Sequence, residues 1–214
     1  MEGDAPDLRC FTSVERLAWA KASGCPWVAQ ICAIAAGGGR LEVLQWLREQ
    51  HCPWGTETCA SAAQGGHLEV LKWAGEQGCP WDEETSYYAV AGGHLEVLRW
   101  AWESGCPCSE ETLAWGGAAE AGHLDVLKCA WQQGCPWDEN TCSRAARGGH
   151  LEVLQWVREH HCPWDISTCH QAAARGHLEM LKWAREHGCP WVKRQCAAAS
   201  YNHPPTLAWV RAQP

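Results

Sequence analysis

The sequence predicts an all-α solenoid of stacked helix-turn-helix repeats with shortened connecting loops. Three observations predict it. First, the block Gly-His-Leu-Glu-Val-Leu recurs with its His at His67, His94 and His150. Near copies stand at Arg40, His123 and His177, and degenerate ones at Ser13 and His203, so the steps are 27, 27, 27, 29, 27, 27 and 26 residues. Second, the Cys of the following Cys-Pro motif (Cys25, Cys52, Cys79, Cys106, Cys135, Cys162, Cys189) lies 12 residues on in every unit. All changes of length fall in the other half, so one half of the unit is rigid and the other tolerant. Third, the apolar residues of the second predicted helix cover too wide an arc for a helix with a single neighbour. Self-similarity at such a period is the mark of a one-dimensional stack.

Taking the unit Thr58 to Glu83 in order, a short first helix is expected at about Thr58–Gln64, built from small residues and stopped by Gly65 and Gly66. Glycine adopts the left-handed cap without a Cβ penalty. A second helix follows at about Leu68–Gln77, with good helix formers, Glu69 in its first turn, and Gly78 and Pro80 at its end. Asp82 is the expected N-cap of the next first helix. At 100° per residue, Leu68, Val70, Leu71, Trp73 and Ala74 fall at about 0°, 200°, 300°, 140° and 240°, leaving only Glu69 and Lys72 in the gap. That is an arc of about 220°, against about 100° for a one-sided amphipathic helix. Residues 1–12 are expected to be irregular. Residues 13–214 are expected to form one array, a leading second helix followed by seven helix pairs.

Composition excludes several classes of function. The chain has 214 residues, 46% hydrophobic and 20% charged, which argues for a folded protein. Its 17 basic and 25 acidic side chains leave a net charge of −8, the wrong sign for nucleic acid. No apolar run approaches the roughly 20 residues of a membrane helix, and no membrane partner is expected. The opening residues Met1 to Phe11 carry acids and no apolar segment, so the fifteen cysteines point to a reducing, intracellular setting, cytoplasmic or nuclear, and not to secretion.

The string Thr58 to Trp73, TCASAAQGGHLEVLKW, resembles the ankyrin repeat, whose first helix reads T-P-L-H-x-A-A and whose second begins G-H-x-x-V-V. The likeness recurs in phase over about residues 13–213, and is similar in particular to short repeats carrying Gly-Cys-Pro-Trp-Asp-Glu. The family's unit has about 33 residues; the shortfall lies between Gly78 and Thr85, so the family's β-hairpin fingers are expected to be trimmed to tight loops. Thr58 and Cys59 replace the Pro and Leu of the T-P-L-H box, which puts that box's His network in doubt. The resemblance implies a non-catalytic scaffold for protein-protein interaction, binding an unidentified partner protein along a concave face of first helices and turns. Carried onto this chain, the family's contact positions fall at Ile34, Ser61, Gln64, Tyr88, Glu120, Arg144, Arg147, Gln171, Arg175 and Tyr201. Because scaffold positions must match their neighbours while recognition positions need not, this variable set is the expected partner-binding stripe, with Tyr and Arg as its anchors.

Other residues invite chemistry. Cysteines seven apart (Cys25/Cys32, Cys52/Cys59, Cys135/Cys142, Cys162/Cys169, Cys189/Cys196) suggest a Cys-rich metal-binding or redox-sensing module as the alternative function. Against it, the chain has no C-x-x-C knuckle, and Ser86 and Leu113 stand where two of the second cysteines belong, as in a small apolar slot. Cys106-Pro107-Cys108 is the one close pair. The histidines opening each second helix have Leu beside them and no acid, so capping or packing is expected. No nucleophile motif or phosphate loop appears, and neither cofactor, metal nor catalysis is expected.

Sixteen tryptophans stand beside one Phe. They form two ladders, Trp19, Trp46, Trp73, Trp100, Trp156, Trp183 and Trp209 on second helices, and Trp27, Trp54, Trp81, Trp137, Trp164 and Trp191 after Cys-Pro. A core spine is the expected role, stacking on a ligand the functional alternative. The ladders break at Cys108 and Cys129, where Trp102, Trp115 and Trp131 signal local repacking. Acids at Glu83-Glu84, Glu110-Glu111 and Asp138-Glu139 are expected at helix N-termini, or to steer a basic partner. Ends without polar caps predict self-association.

Overall fold

A computed structural model describes residues 13–107 and 112–214. The chain divides into two compact units, Met1–Cys108 and Ser109–Pro214. The expectations for residues 1–12 and for Cys108, Glu110 and Glu111 lie outside the described residues.

The first unit opens with α1 (Val14–Ala22), followed by three helix pairs: α2 and α3 (Ala29–Gly37, Leu41–Glu49), α4 and α5 (Thr56–Gln64, Leu68–Glu76), α6 and α7 (Glu83–Ala91, Leu95–Glu103). The second holds four: α8 and α9 (Thr112–Ala121, Leu124–Gln132), α10 and α11 (Glu139–Gly148, Leu151–Glu159), α12 and α13 (Ile166–Ala174, Leu178–Glu186), α14 and α15 (Lys193–Ala199, Pro204–Ala212). Among the described residues there is no strand, so the expected fingers are tight loops. No helix among them is long and apolar enough to cross a membrane.

The caps follow the sequence. Asp82, Asp138 and Asp165 each take extended backbone, and each carboxylate accepts the backbone N–H two residues on. Where Gly55 stands in that place, no side chain caps and α4 still begins at Thr56, two residues earlier than predicted. The interhelix turn requires glycine. Gly66 sits at φ +73°, and a Cβ there would lie 2.5 Å from Nδ1 of His94 in the next repeat.

Within each unit the first helices pack in a row, α2 on α4 on α6, and α8 on α10 on α12 on α14, each with its own second helix behind it. The interior is made of one short list repeated: on α5 only Val70, Leu71 and Ala74 are buried, with Leu68 and Trp73 half-buried on the flanks. The fully buried stripe is therefore about 100° wide, narrower than the apolar arc. The wider arc reflects the flanking residues, which meet neighbouring repeats and solvent together.

The tryptophan expectation is overturned. No ladder Trp reaches full burial; the core consists of Leu, Val, Ala and Cys, with Leu44, Leu71, Leu98, Leu154 and Leu181 at 0% exposure. An indole is too large for a slot bounded by helices that approach as closely as these. A Cβ on Gly37, for instance, would meet the Cβ of Ser61 at 3.3 Å. Trp115 is the exception, at 2% exposure.

Candidate functional site

On the first helices the small residues turn inward, while the candidate contact positions stay out of the core. In α2 and α4, Ala35, Ala36, Ala62 and Ala63 are at 0% exposure, whereas Ile34 and Ser61 are half-buried and Gln64 is exposed. Tyr88 continues this row on α6, half-buried, its ring edge-on to Tyr87 at 5.2 Å.

In the second unit the same positions carry charge. The Glu120 carboxylate accepts from Arg144 Nη1 at 3.2 Å and pairs as an ion with Arg147 Nε at 3.3 Å, joining α8 to α10. The Arg144 chain runs over Gly116, where a Cβ would lie 2.4 Å from its Cδ. Gln171 is half-buried and Arg175 exposed, while Tyr201 is 77% exposed. The structure thus joins three of the predicted contact residues, Glu120, Arg144 and Arg147, into one cluster. Ser61, Gln64 and Tyr88 sit in the other unit.

Behind this face the repeats are latched by histidine. The Nε2–H of His67 donates to the Gly37 carbonyl at 3.0 Å, that of His94 to Gln64 at 2.9 Å, of His177 to Arg147 at 3.3 Å, and of His203 to Ala174 at 3.1 Å. Each acceptor lies in the last turn of the preceding first helix, where carbonyls have no intrahelical donor. None of these histidines caps its own helix through the side chain. Packing, not capping, is their role. The latch that the degraded T-P-L-H box had left in doubt is supplied by the Gly-His histidine instead.

Residues 142–185 match the family described as Ankyrin repeats (many copies). Among solved structures, the human ASB11 ankyrin repeat domain superposes with a TM-score of 0.66 at 16% identity, over 86% of this chain and 98% of that one. The fold is that of an ankyrin-repeat domain. No curated protein matches the chain.

The cysteines serve the inside of the ankyrin-repeat fold. Every described cysteine except Cys25 is buried and none forms a disulfide. Their geometry corrects the seven-residue pairing: the thiols that meet are twenty apart, Cys32 with Cys52, Cys59 with Cys79, Cys142 with Cys162 and Cys169 with Cys189. The thiol of the Cys-Pro motif also points at a carbonyl 24 residues upstream, as from Cys106 to Asp82 and Cys162 to Asp138, both at 3.3 Å. Cys59, Cys142 and Cys169 are held well above the usual thiol range, first by the S–H···S bond to the partner and then by burial. Such thiols are poor nucleophiles and poor ligands. Among the described residues no three of His, Cys, Asp or Glu converge on a common point. Where Ser86 replaces a cysteine, its hydroxyl donates to the Pro107 carbonyl at 2.8 Å, keeping the inter-repeat link.

Of the off-pattern tryptophans, Trp115 occupies the cysteine slot. It lies 8 residues before His123, as Cys59 does before His67 and Cys142 before His150. Counting forward from Cys106 points to Leu113 instead; counting back from the Gly-His motif would have found Trp115. The ladder tryptophans pair from repeat to repeat at the surface of the second helices, with ring centroids between 5.6 Å (Trp81 and Trp100) and 6.2 Å (Trp191 and Trp209). Sequence reasoning missed the arginines beside them. Arg48, Arg158 and Arg185 lie over Trp54, Trp164 and Trp191 at 4.1, 4.0 and 4.7 Å. Their signal was visible as a basic residue six positions before the Trp of Cys-Pro-Trp.

Proposed function

We propose that the chain is a non-catalytic protein-binding scaffold that engages its partner through the exposed positions of the first helices and their turns. The observation that carries this reading is the contrast within one helix row. Alanines and cysteines at the packed positions repeat almost unchanged, while the positions outside the core change from Ile34 and Ser61 to Tyr88 in one unit and from Glu120 to Arg147 and Gln171 in the other. Packing does not restrict these side chains, and Arg and Tyr are the types that anchor interfaces. The solvent-accessible Glu120 cluster adds little stability, about 0–1 kcal/mol, yet holds Arg144 and Arg147 in place, which lowers the entropy lost when a partner carboxylate binds them.

The test places a photo-crosslinking amino acid at Arg175 or Tyr201, and at Glu152 on a second helix as control, in cells. Adducts to the same protein from Arg175 and Tyr201, absent from Glu152 and abolished by Arg144→Glu with Arg147→Glu, are expected. Adducts from Glu152 alone would sink the reading.

A further inference from the structure

The contact positions of the two units differ in charge. Ile34, Ser61, Gln64 and Tyr88 carry none. In the unit Ser109–Pro214 the same row holds Glu120 on α8, Arg144 and Arg147 on α10, and Arg175 at the C-cap of α12. Glu120 touches two of the guanidinia, at 3.2 and 3.3 Å, and one carboxylate neutralises only one of them. Arg175 is exposed and, among the described residues, joins no ion pair.

The other acids of these repeats do not cancel the surplus. Asp138 and Asp165 cap the N-termini of α10 and α12, about 13–15 Å of helix from Arg147 and Arg175 and beyond the screening length of about 8 Å. Glu139 lies about 140° around α10 from Arg144. Glu159 and Glu186 close α11 and α13 at the ends remote from the interhelix turns. Among the acids that open the second helices, Glu179 is taken by Lys182 at 2.7 Å and Asp125 has Lys128 three residues on. Glu152 remains, and with Glu120 it still leaves the three arginines in excess.

Helix α8 is shaped to receive one of them. Gly116 is buried in mid-helix, a position where glycine is disfavoured against alanine. A Cβ there would lie 2.4 Å from Cδ and 3.0 Å from Nε of Arg144. The missing methyl lets the Arg144 chain lie along α8 with its guanidinium at Glu120. The glycine fixes the arginine from below and the carboxylate fixes it from the side.

Resting on the scaffold reading above, we propose that this row binds an acidic segment of the partner protein, with Asp or Glu carboxylates on Arg144 and Arg147 and on Arg175. Guanidinium forks pair with carboxylates through two parallel hydrogen bonds. Packed helices stand about 8–10 Å apart, so carboxylates at that separation reach α10 and α12 together. Tyr201, 77% exposed in the next repeat, offers its ring to an apolar residue beside the acids. The chain as a whole carries −8, so an acidic segment is drawn to this row and repelled elsewhere. A nucleic-acid strand, charged along its whole length, meets that repulsion over many phosphates.

The test titrates the full chain with a labelled peptide of repeated Asp-Glu-Gly, against repeated Asn-Gln-Gly and a thymidine oligonucleotide. The acidic peptide is expected to bind at least about tenfold more tightly than its amide counterpart. Arg147→Gln with Arg175→Gln should weaken it about tenfold, while Lys128→Gln with Lys182→Gln, the same change of net charge on second helices, should stay within about twofold. Gly116→Ala should keep or raise the melting temperature and still weaken binding about three- to fivefold, because Arg144 is pushed from its seat. No binding of the acidic peptide, equal binding of the amide peptide, tighter binding of the oligonucleotide, equal losses in the two double variants, or unchanged affinity in Gly116→Ala would each overturn the proposal. Mapping the Tyr201 crosslink separates this inference from the scaffold reading. An adduct on a partner segment without Asp or Glu sinks the acidic segment alone, whereas adducts from Glu152 alone sink both.

Discussion

Trp131 lies flat on Trp137, ring centroids 4.5 Å apart and planes within 10°, in the place where Arg158 covers Trp164 one repeat later. A ring has replaced a guanidinium as the lid on the indole. The pair is worth about 0.5–1.5 kcal/mol beyond its buried area. Trp131→Ala should therefore lower the unfolding free energy by about 1–2 kcal/mol in urea, and Trp131→Arg should recover at least half of that. Unchanged stability in the alanine variant would contradict the repacking.

His94 ties α7 to the end of α4 through Gln64. Its removal strands a helix-terminal carbonyl and empties the space beside Gly66 and Gly92. His94→Ala should cost about 1–3 kcal/mol. Amide exchange should accelerate most in α4 to α7, since each repeat leans only on its neighbours.

His51 and His161 hold φ of 62° and 63° where the other repeats place glycine, as at Gly78 and Gly188. A left-handed backbone costs a residue with a Cβ about 1 kcal/mol relative to glycine. His161→Gly should raise the melting temperature. A fall would show that the ring makes a compensating contact.

The hydroxyls of Thr85, Thr141 and Thr168 are buried and, among the described residues, have no hydrogen-bond partner. Valine keeps the shape and removes the desolvated group. Thr141→Val should be neutral or stabilising by up to about 1 kcal/mol in denaturant. A loss beyond that would reveal a bound water there.

Cys25 is exposed, whereas Cys59, Cys142 and Cys169 are at 0% exposure and bonded to partner thiols. Alkylation of the native protein at pH 8 with peptide mapping should modify Cys25 within minutes, and the three buried thiols only at the rate of local unfolding. Rapid modification of Cys142 would reopen the redox alternative.

The parts legible in the residues were those governed by short-range chemistry. Asp82 announces an N-cap because a carboxylate two residues from an orphan N–H is a local arrangement, and Gly66 announces a turn because a positive φ is a local demand. The first-helix positions outside the core were also legible, through their failure to repeat. The partners of the cysteines were not. Cys59 meets Cys79 and not Cys52 because the contact depends on how a turn in one repeat faces the loop of the next. The two-residue insertion between Cys106 and Trp115 likewise hid its slot from any count begun upstream.

By itself, then, the order of residues determined a 27-residue unit of two short helices, its caps and turns, and a linear stacking of such units, since each of these depends on periodicity and backbone preference. Tertiary structure alone decided which apolar groups are interior. Close helix approach leaves room for alanine, leucine and thiols, and it turns the large ladder indoles toward the surface, where Arg48, Arg158 and Arg185 cover Trp54, Trp164 and Trp191.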